Sequence, residues 1–306
     1  PGEEVPKGMR EWPENIARFF GVSTANRVER SACSLRFMRF CDDVDRLAPK
    51  KKRTARSLDP MGSLRDRRGE TMYDVICGAL SLVWPGECPA CGASIEPPMF
   101  CPDCAATLAL RDGPRCAICD LGFVADAPSH RCGRCLDRRP RFTRAWGLFD
   151  YAGPVGEALR RGKYGRRPEI IEYIGRLLGI HLPPALLRHP PLAVIGVPLH
   201  RRRVHRRGFS VPHLLAWYAA RTLGVPLLRR GLRRVRDTPP QAGLDDSARR
   251  RNVRGAFLAG KTLPDDVLLV DDVFTTGATV DAAAGALTKS GVQRVRVLCA
   301  AYVDRD

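Results

Sequence analysis

The chain has 306 residues, a formal net charge of +18 and 44% hydrophobic residues. This length and apolar content allow one or two domains with a full core, and no apolar run approaches the ~18 residues of a transmembrane helix. The composition therefore excludes a membrane-spanning protein, and we expect a cytoplasmic protein without membrane insertion.

The positive charge is concentrated in one third of the chain. Residues 156–254 contain 22 Lys and Arg residues against 6 Asp and Glu residues. Such a field attracts polyanions, which means either nucleic acid or a polyphosphate substrate. For any single arginine, a solvated surface position is an equally good explanation.

The first 71 residues contain charge runs but no sustained apolar period. We expect a disordered N-terminal extension over residues 1–71, with a weak helical pattern at Ile16–Phe20. The apolar segment Val75–Trp84 lacks the cations and cleavage site of a signal peptide, and it predicts a structural helix.

Four CxxC pairs lie between residues 88 and 135. Each pair places two thiolates on one turn, so two turns complete a tetrahedral metal site of four sulfurs. Spacers of nine and twelve residues within the two halves suit the loops of zinc ribbons. We therefore predict two structural zinc ions in a module over residues 72–142. Sequential pairing gives one site from Cys88, Cys91, Cys101 and Cys104 and a second from Cys116, Cys119, Cys132 and Cys135.

Alternatives to sequential pairing stay open. Interleaved turns are possible, and His130 is a spare ligand. Disulfides are disfavoured because there is no secretion signal, and a redox motif does not explain four copies. With all eight thiolates bound, these sites have no open position for catalysis. The single cysteines Cys33, Cys41, Cys77 and Cys299 are expected to be packing or tail residues.

Strand and helix patterns follow the cysteines and predict an α/β domain with a parallel sheet over residues 143–306. The expected strands are Gly147–Tyr151, Leu192–Pro198, Val267–Val270 and Val295–Val303, and the expected helices are Ile170–Ile180 and Leu214–Thr222.

Three basic segments interrupt these elements. Residues 158–169 contain Lys163 and are expected to form a turn between helices. Residues 199–209 follow a strand directly and are expected to form a loop that neutralises a diphosphate. Residues 229–257 include Arg250 and have the Pro, Gly and charge content of a mobile lid.

The segment Val267–Thr279 organises the domain. Four apolar residues predict a buried parallel strand, and Asp271 and Asp272 follow where that strand should end. A loop of small and hydroxyl residues comes next, and a helical pattern resumes at Val280. Carboxylates accept hydrogen bonds from a vicinal diol, whereas the loop and a helix N-terminus suit a phosphate. Diol and phosphate side by side describe a ribose 5-phosphate. The simpler alternative is a strand–turn–helix whose acids cap the helix.

This segment resembles the signature of the type I phosphoribosyltransferases. The resemblance implies that Asp271 and Asp272 hold the ribose hydroxyls of phosphoribosyl diphosphate, with Mg²⁺ on its diphosphate. The residues implied for the 5-phosphate are Thr275, Thr276, Gly277, Ala278 and Thr279.

Together, the cysteine module and this signature resemble the ComF family over about residues 72–303. The resemblance also rests on Lys163-Tyr164, Val197-Pro198 with His200, Arg207-Gly208-Phe209, Gln241, Arg250 with Asn252, and Phe257. The chain departs from the family at Ser210 and Val211, where Asn and Gln are expected. Among these basic residues, the resemblance implies that Lys163, His200, Arg201, Arg207 and Arg250 contact the substrate.

The resemblance implies a role in DNA uptake and natural transformation, beside single-stranded DNA and the competence helicase machinery. Two functions compete. The first is a phosphoribosyltransferase, and the second is a non-catalytic single-stranded-DNA-binding factor that keeps the fold. The net charge of +16 over residues 156–254, 22 minus 6, favours DNA binding. An intact acidic pair favours phosphoribosyl diphosphate instead, because carboxylates are not needed to bind DNA and would repel it.

Overall fold

A computed structural model describes residues 22–23, 27–28, 86–95, 100–123, 128–238 and 245–304. The chain forms two compact units, Pro1–Gly86 and Glu87–Asp306. In the first unit, β1 (Val22–Ser23) pairs antiparallel with β2 (Arg27–Val28). The rest of the expected N-terminal extension, the helices expected at Ile16–Phe20 and Val75–Trp84, and Cys33, Cys41 and Cys77 lie outside the described residues.

The cysteine module consists of short elements joined by the CxxC turns. Its strands β3 (Gly86–Glu87) and β4 (Ser94–Ile95) form a two-stranded sheet. Helices α1 (Pro102–Ala106) and α2 (Gly133–Asp137) each begin directly after a cysteine, Cys101 and Cys132, which serves as the N-cap residue. Apart from cysteines, only Ala90, Phe100, Ile118 and Phe142 are buried hydrophobic residues in the described part of the module. Metal coordination is therefore expected to supply much of its stability.

Four parallel strands in the order β5-β10-β9-β6 form the main sheet. The order places β9 and β10 in the centre, where their side chains are almost all buried on both faces. Such continuous apolar strands are typical of a parallel sheet that is covered by helices. The four strands are β5 (Arg144–Asp150), β6 (Ala193–Gly196), β9 (Asp266–Phe274) and β10 (Arg294–Tyr302).

The helices of this domain connect the strands and cover the sheet. The α4 and α7 helices pack closely, because Gly175 leaves room for the ring of Tyr218; a Cβ at Gly175 would lie 2.2 Å from that ring. The helices are α3 (Pro154–Tyr164), α4 (Pro168–Ile180), α5 (Pro184–Arg188), α6 (Arg201–Arg207), α7 (Val211–Leu223), α8 (Asp246–Val253) and α9 (Ala278–Lys289).

Strand β9 is longer than the sequence predicts. The expected end at Val270 is wrong, because β10 offers ladder partners along the whole of β9, as far as the pair Tyr302 and Phe274. Strand β6 pairs with β9 only up to Val270. Asp271 and Asp272 therefore lie within a strand that extends beyond its neighbour β6.

Two of the three basic segments were wrongly expected to lack regular structure. The turn predicted over residues 158–169 is mostly the last part of α3, which buries Val155, Ala158, Leu159 and Gly162 on one face. The loop predicted over residues 199–209 is mostly helix α6, which ends at Gly208 with a φ of 87°. Charged side chains on the outer face obscured both helices in the sequence.

The third basic segment, residues 229–257, also has regular structure in the part that the structure describes, and its mobility as a lid stays a prediction. It contains strand β7 (Leu232–Arg234), which pairs antiparallel with β8 (Phe257–Ala259), and helix α8 between them. The Asp245 side chain caps α8 by accepting a 2.7 Å hydrogen bond from the backbone N–H of Ala248. Residues 239–244 lie outside the described residues.

Candidate functional site

The eight CxxC cysteines form two separate tetrads. Within each tetrad the sulfurs lie within 4.8 Å of one another, and the members are the sequential sets that begin at Cys88 and at Cys116. Sequential pairing is therefore confirmed over interleaved pairing. His130 is not a member; its ring stacks on Phe123 at a centroid distance of 4.0 Å.

The geometry of both tetrads fits tetrahedral zinc. With Zn–S bonds of about 2.3 Å, the sulfurs of such a site are about 3.8 Å apart. The Cys91 and Cys101 sulfurs are 3.7 Å apart, and those of Cys119 and Cys132 are 3.5 Å apart. These cysteine sets also have the donor chemistry of structural zinc, with four thiols and no open position.

Backbone N–H groups favour the thiolate form at the first cysteine of each tetrad. Burial opposes ionisation at Cys88, but N–H donors, first that of Cys101, outweigh it and lower the pKa of Cys88 to about 6. The same balance, with Cys119 as the first donor, lowers the pKa of Cys116 to about 6. In contrast, burial raises the pKa of Cys104 to about 12. A tetrad therefore needs a bound cation before all four thiols ionise.

Helix α3 connects the first tetrad to the sheet domain. The Arg161 guanidinium donates a 2.6 Å hydrogen bond to the Cys88 carbonyl and lies 3.0 Å from the Glu87 carboxylate. Two residues further along the same helix, Lys163 reaches the acidic pair of β9. Helix α3 thus contacts both the first metal site and the candidate substrate site.

A buried arginine connects the second tetrad to the sheet. The Arg111 side chain is 4% exposed and forms ion pairs with Asp120, Asp150 and Asp304. Asp120 follows Cys119 directly and also accepts a 2.9 Å hydrogen bond from the Gly147 N–H in β5. These contacts fix the second ribbon against the carboxyl end of the sheet.

The acidic pair forms a compact cluster with Lys163. The Lys163 Nζ lies 2.8 Å from Asp272 Oδ2, and the Asp272 N–H donates a 2.9 Å hydrogen bond to Asp271 Oδ1. Burial, followed by the charge of Asp272, raises the pKa of Asp271 to about 8. The site therefore favours the protonated form of Asp271, and the Lys163 ammonium lies against the Asp272 carboxylate.

The loop after β9 has the shape expected of a phosphate site. Gly277 has a φ of 75°, and a Cβ at this position would lie 2.7 Å from the Phe274 ring. The Thr276 hydroxyl accepts a 3.2 Å hydrogen bond from the Ala278 N–H, which orders the turn into α9. The N–H groups at the start of α9 and the helix dipole favour an anion here.

This loop lines a cavity of about 270 Å³ that it shares with the second ribbon. Four of the five predicted phosphate-loop residues, Thr275 to Ala278, line the cavity together with Arg250. The ribbon contributes Cys135, Arg134 and Arg138 to the opposite wall. Thr279, Arg201 and Arg207 belong to the described part of the chain but do not line this cavity.

The segment after β6 lies beside the acidic pair. Val197 follows β6 and donates a 2.8 Å hydrogen bond to the Val270 carbonyl, which brings the β6 end next to Asp271. His200 Nδ1 lies 3.4 Å from Asp237 Oδ1 without hydrogen-bond geometry, and it has no hydrogen-bond partner among the described residues.

Three arginines near the cavity and the acidic pair were not predicted from the sequence. Arg134 lies in α2 and Arg138 is its C-cap residue, and both reach the cavity because Cys135 of this helix is fixed in the second tetrad. The basic residues beside the last CxxC pair were the available signal. Arg234 lies within electrostatic range of Asp271 and Asp237, and burial lowers its pKa. Its place in β7 gave no signal, since that strand was taken for part of a lid.

The fold and the site define a class of protein: a double zinc ribbon joined to an α/β domain with a four-stranded parallel sheet. A family model described as a double zinc ribbon domain matches residues 79–136. The DNA utilization protein YhgH of Salmonella typhi is 33% identical over 221 residues, which cover 66% of this chain and 96% of that protein. Competence protein F of Haemophilus influenzae is 30% identical over 227 residues, with coverages of 72% and 92%. The chain belongs to the ComF family.

Solved structures give weaker matches. The purine phosphoribosyltransferase from Pyrococcus horikoshii Ot3 has a TM-score of 0.27 and 20% identity, covering 45% of this chain and 83% of that one. The UMP synthase of Leishmania donovani has a TM-score of 0.25 and 20% identity, covering 45% of this chain and 22% of that one. In the described part of the chain, no helix has the length and apolar character needed to cross a membrane.

Proposed function

We propose that the chain binds phosphoribosyl diphosphate at the carboxyl end of β9 and serves the use of incoming DNA, as the names of its relatives indicate. One observation carries the proposal. An acidic pair leads directly into a Thr/Gly loop, and that loop opens into a cavity lined by arginine. Acceptors for a diol and donors for a phosphate thus follow each other closely along the chain.

Asp271 and Asp272 are proposed to hold the ribose hydroxyls. A protonated Asp271 offers one donor as well as acceptors, and an ionised Asp272 accepts hydrogen bonds only. The Lys163 ammonium, 2.8 Å from Asp272, offsets its charge and so reduces repulsion toward an anionic ligand. Lys163 is also close enough to meet the diphosphate once the ligand separates the ion pair.

The 5-phosphate is proposed to bind the Thr275–Ala278 loop, where Arg250 supplies a cation. The leaving diphosphate would face the end of β6 and the start of α6, with His200 and Arg201. Within the described residues, the two cysteine tetrads are the only groups of three or more potential metal ligands close enough to share an ion. Mg²⁺ usually keeps several waters and binds substrate phosphates, so we propose that it enters with the diphosphate as part of the substrate.

Transfer of the phosphoribosyl group would break the bond between the anomeric carbon and the diphosphate and form one to an acceptor. The residues above would contribute positioning and charge stabilisation, which dominate such reactions. Titration calorimetry of the protein with phosphoribosyl diphosphate, with and without Mg²⁺, tests the binding proposal. We expect saturable binding that Mg²⁺ strengthens. Heat no greater than the heat of dilution in both conditions would overturn the binding proposal. Turnover is measured separately, by an assay for released diphosphate.

Single-stranded DNA binding is the second candidate function. A specific observation favours it: the cavity beside the loop adjoins another cavity whose lining is rich in Arg and Lys. Unlike a substrate pocket, this second cavity lies away from the acidic pair, so no carboxylate of β9 opposes a polyanion there.

A further inference from the structure

Two adjoining cavities make up the surface that we call the basic groove. The first cavity, of about 270 Å³, is lined by the Thr275–Ala278 loop. The second, of about 650 Å³, is lined by residues of α8 and α9 as far as Lys289. Arg138, Arg250, Ala278 and Asp281 line both cavities, so the two adjoin along these residues.

The charge of the basic groove is strongly positive. Its lining contains seven Arg and Lys side chains and two carboxylates. One of these carboxylates, Asp281, is already paired with Arg141 at 2.6 Å. Among the carboxylates whose side chains the structure describes, none forms a recorded ion pair with Arg138, Arg250 or Lys289. The groove therefore has more cationic side chains than are required to bind one small phosphate ester.

The arrangement of the cations along the groove matches a chain of phosphates. Arg250 and Arg251 project from α8, and Lys289 lies at the opposite end of α9 from the loop. An arginine guanidinium donates two parallel hydrogen bonds to the oxygens of one phosphate. Cations spaced along the groove could therefore bind successive phosphates of one strand. A groove that tracks the backbone in this way is typical of proteins that bind single strands without reading their sequence.

One end of the groove differs from the rest. At the loop, the walls are Cys135 and Pro140 of the ribbon side and Phe274 and Tyr302 of the sheet side. A strand that enters from the Lys289 end meets these walls, where the Thr275–Ala278 loop offers hydroxyls and N–H groups. A terminal phosphate has more free oxygens than an internal phosphodiester and suits these donors better.

We infer that the basic groove binds single-stranded DNA and that the strand's terminal 5′-phosphate occupies the Thr275–Ala278 loop. The inference rests on the proposed function only in assigning the loop to a phosphate. It has a direct consequence: phosphoribosyl diphosphate and a 5′-phosphorylated strand compete for the loop.

The test measures binding of a short 3′-labelled oligonucleotide to the full chain by fluorescence anisotropy across a series of salt concentrations. A 5′-phosphate should strengthen binding about tenfold over a 5′-hydroxyl, as expected for added charge-assisted hydrogen bonds. Adding phosphoribosyl diphosphate should remove this preference. In the double variant Arg251→Ala and Lys289→Ala, the slope of log affinity against log salt should fall by about one to one and a half.

A matched control removes the same charge elsewhere. Arg233 and Lys261 are exposed and line neither cavity. The double variant Arg233→Ala and Lys261→Ala should therefore keep the wild-type slope. Calorimetry with phosphoribosyl diphosphate should give the same affinity for both double variants, which also shows that they fold.

Three results would overturn the inference: equal loss of slope in both double variants, equal affinity for the two oligonucleotides, or a 5′-phosphate preference that survives phosphoribosyl diphosphate at a concentration at which calorimetry shows that the protein is saturated with it. Failure of the proposed function looks different. In that case calorimetry detects no binding of phosphoribosyl diphosphate. The preference for a 5′-phosphate and the salt dependence of DNA binding in the two double variants remain as described.

Discussion

At the scale of single residues, the burial of Asp271 is unfavourable for the stability of the fold. Its side chain lies inside a central strand opposite Cys299 of β10, and the charge of Asp272 lies beside it. Desolvation and like charge both disfavour its ionised form, so the folded state keeps a proton that the unfolded chain releases. Costs of this kind are typical of binding sites rather than of structural positions.

Asp271→Asn should therefore stabilise the protein, and more so at high pH. The pKa of Asp271 rises from 3.8 to about 8 on folding. Wild-type stability consequently falls as pH rises through this window, because the folded state binds the extra proton. The gain from Asn should be absent below about pH 4 and complete above about pH 8. Urea unfolding of both proteins at about pH 6 and about pH 8.5 measures it, and an equal difference at the two values would contradict the assignment.

Gly277 is a second residue whose position in the fold permits little substitution. Gly277→Ala should cost at least about 1 kcal/mol of stability and weaken phosphate binding, because the residue has positive φ and its Cβ would meet the Phe274 ring. Gly291→Ala is the matched control: its φ is 103°, but nothing lies within 4 Å of the added Cβ. Thermal unfolding and ribose 5-phosphate titration compare the two variants. Equal ligand affinity in both would show that the loop does not bind the phosphate.

At the scale of elements, the two ribbons are held by different parts of the sheet domain. The first is tied to α3 through Arg161, and the second is tied to the strand ends through Arg111. The second ribbon alone lines the cavity at the Thr275–Ala278 loop. The two metal sites should thus differ in their effect on the candidate substrate site, although their coordination is alike.

We expect two zinc ions per chain by metal analysis, and one after Cys135→Ser or after Cys91→Ser. Loss of the second site should weaken phosphoribosyl diphosphate binding more than loss of the first, because Cys135 lines the cavity and Cys91 does not. Elemental analysis and calorimetry of the two variants measure both effects. A native protein with no zinc, or with disulfides within the tetrads, would contradict the account of the ribbons.

The elements that could be predicted from the sequence are those with strong local signals. Cysteine spacing predicted both tetrads, and the apolar run before Asp271 predicted the central strand. Helix α3 was missed because its arginine-rich outer face resembles a loop when it is read without the buried face. Helix α6 was missed because it buries none of its residues and so has no apolar pattern. The extension of β9 depends on its partner β10, which lies later in the chain, and no local pattern could show it.

At the scale of the whole molecule, the site depends on contacts between residues far apart in sequence. Arg138 and Thr275 line one cavity although more than a hundred residues separate them. The motif Val267–Thr279 indicated the ligand chemistry, but not that a zinc ribbon forms the opposite wall. That arrangement depends on Arg111, which joins Asp120 to Asp304 across most of the chain.

The most direct test of the central claim is the affinity of the Asp271→Asn, Asp272→Asn double variant for phosphoribosyl diphosphate. Both side chains keep their size, but the pair loses the charge that strengthens hydrogen bonds to the ribose hydroxyls, so affinity should fall about ten- to a hundredfold by calorimetry with Mg²⁺. Inorganic diphosphate has no ribose and serves as the control ligand. Its affinity should stay the same or rise slightly, since Lys163 loses its partner. A folded double variant that binds phosphoribosyl diphosphate as tightly as the wild type would show that the acidic pair is structural only.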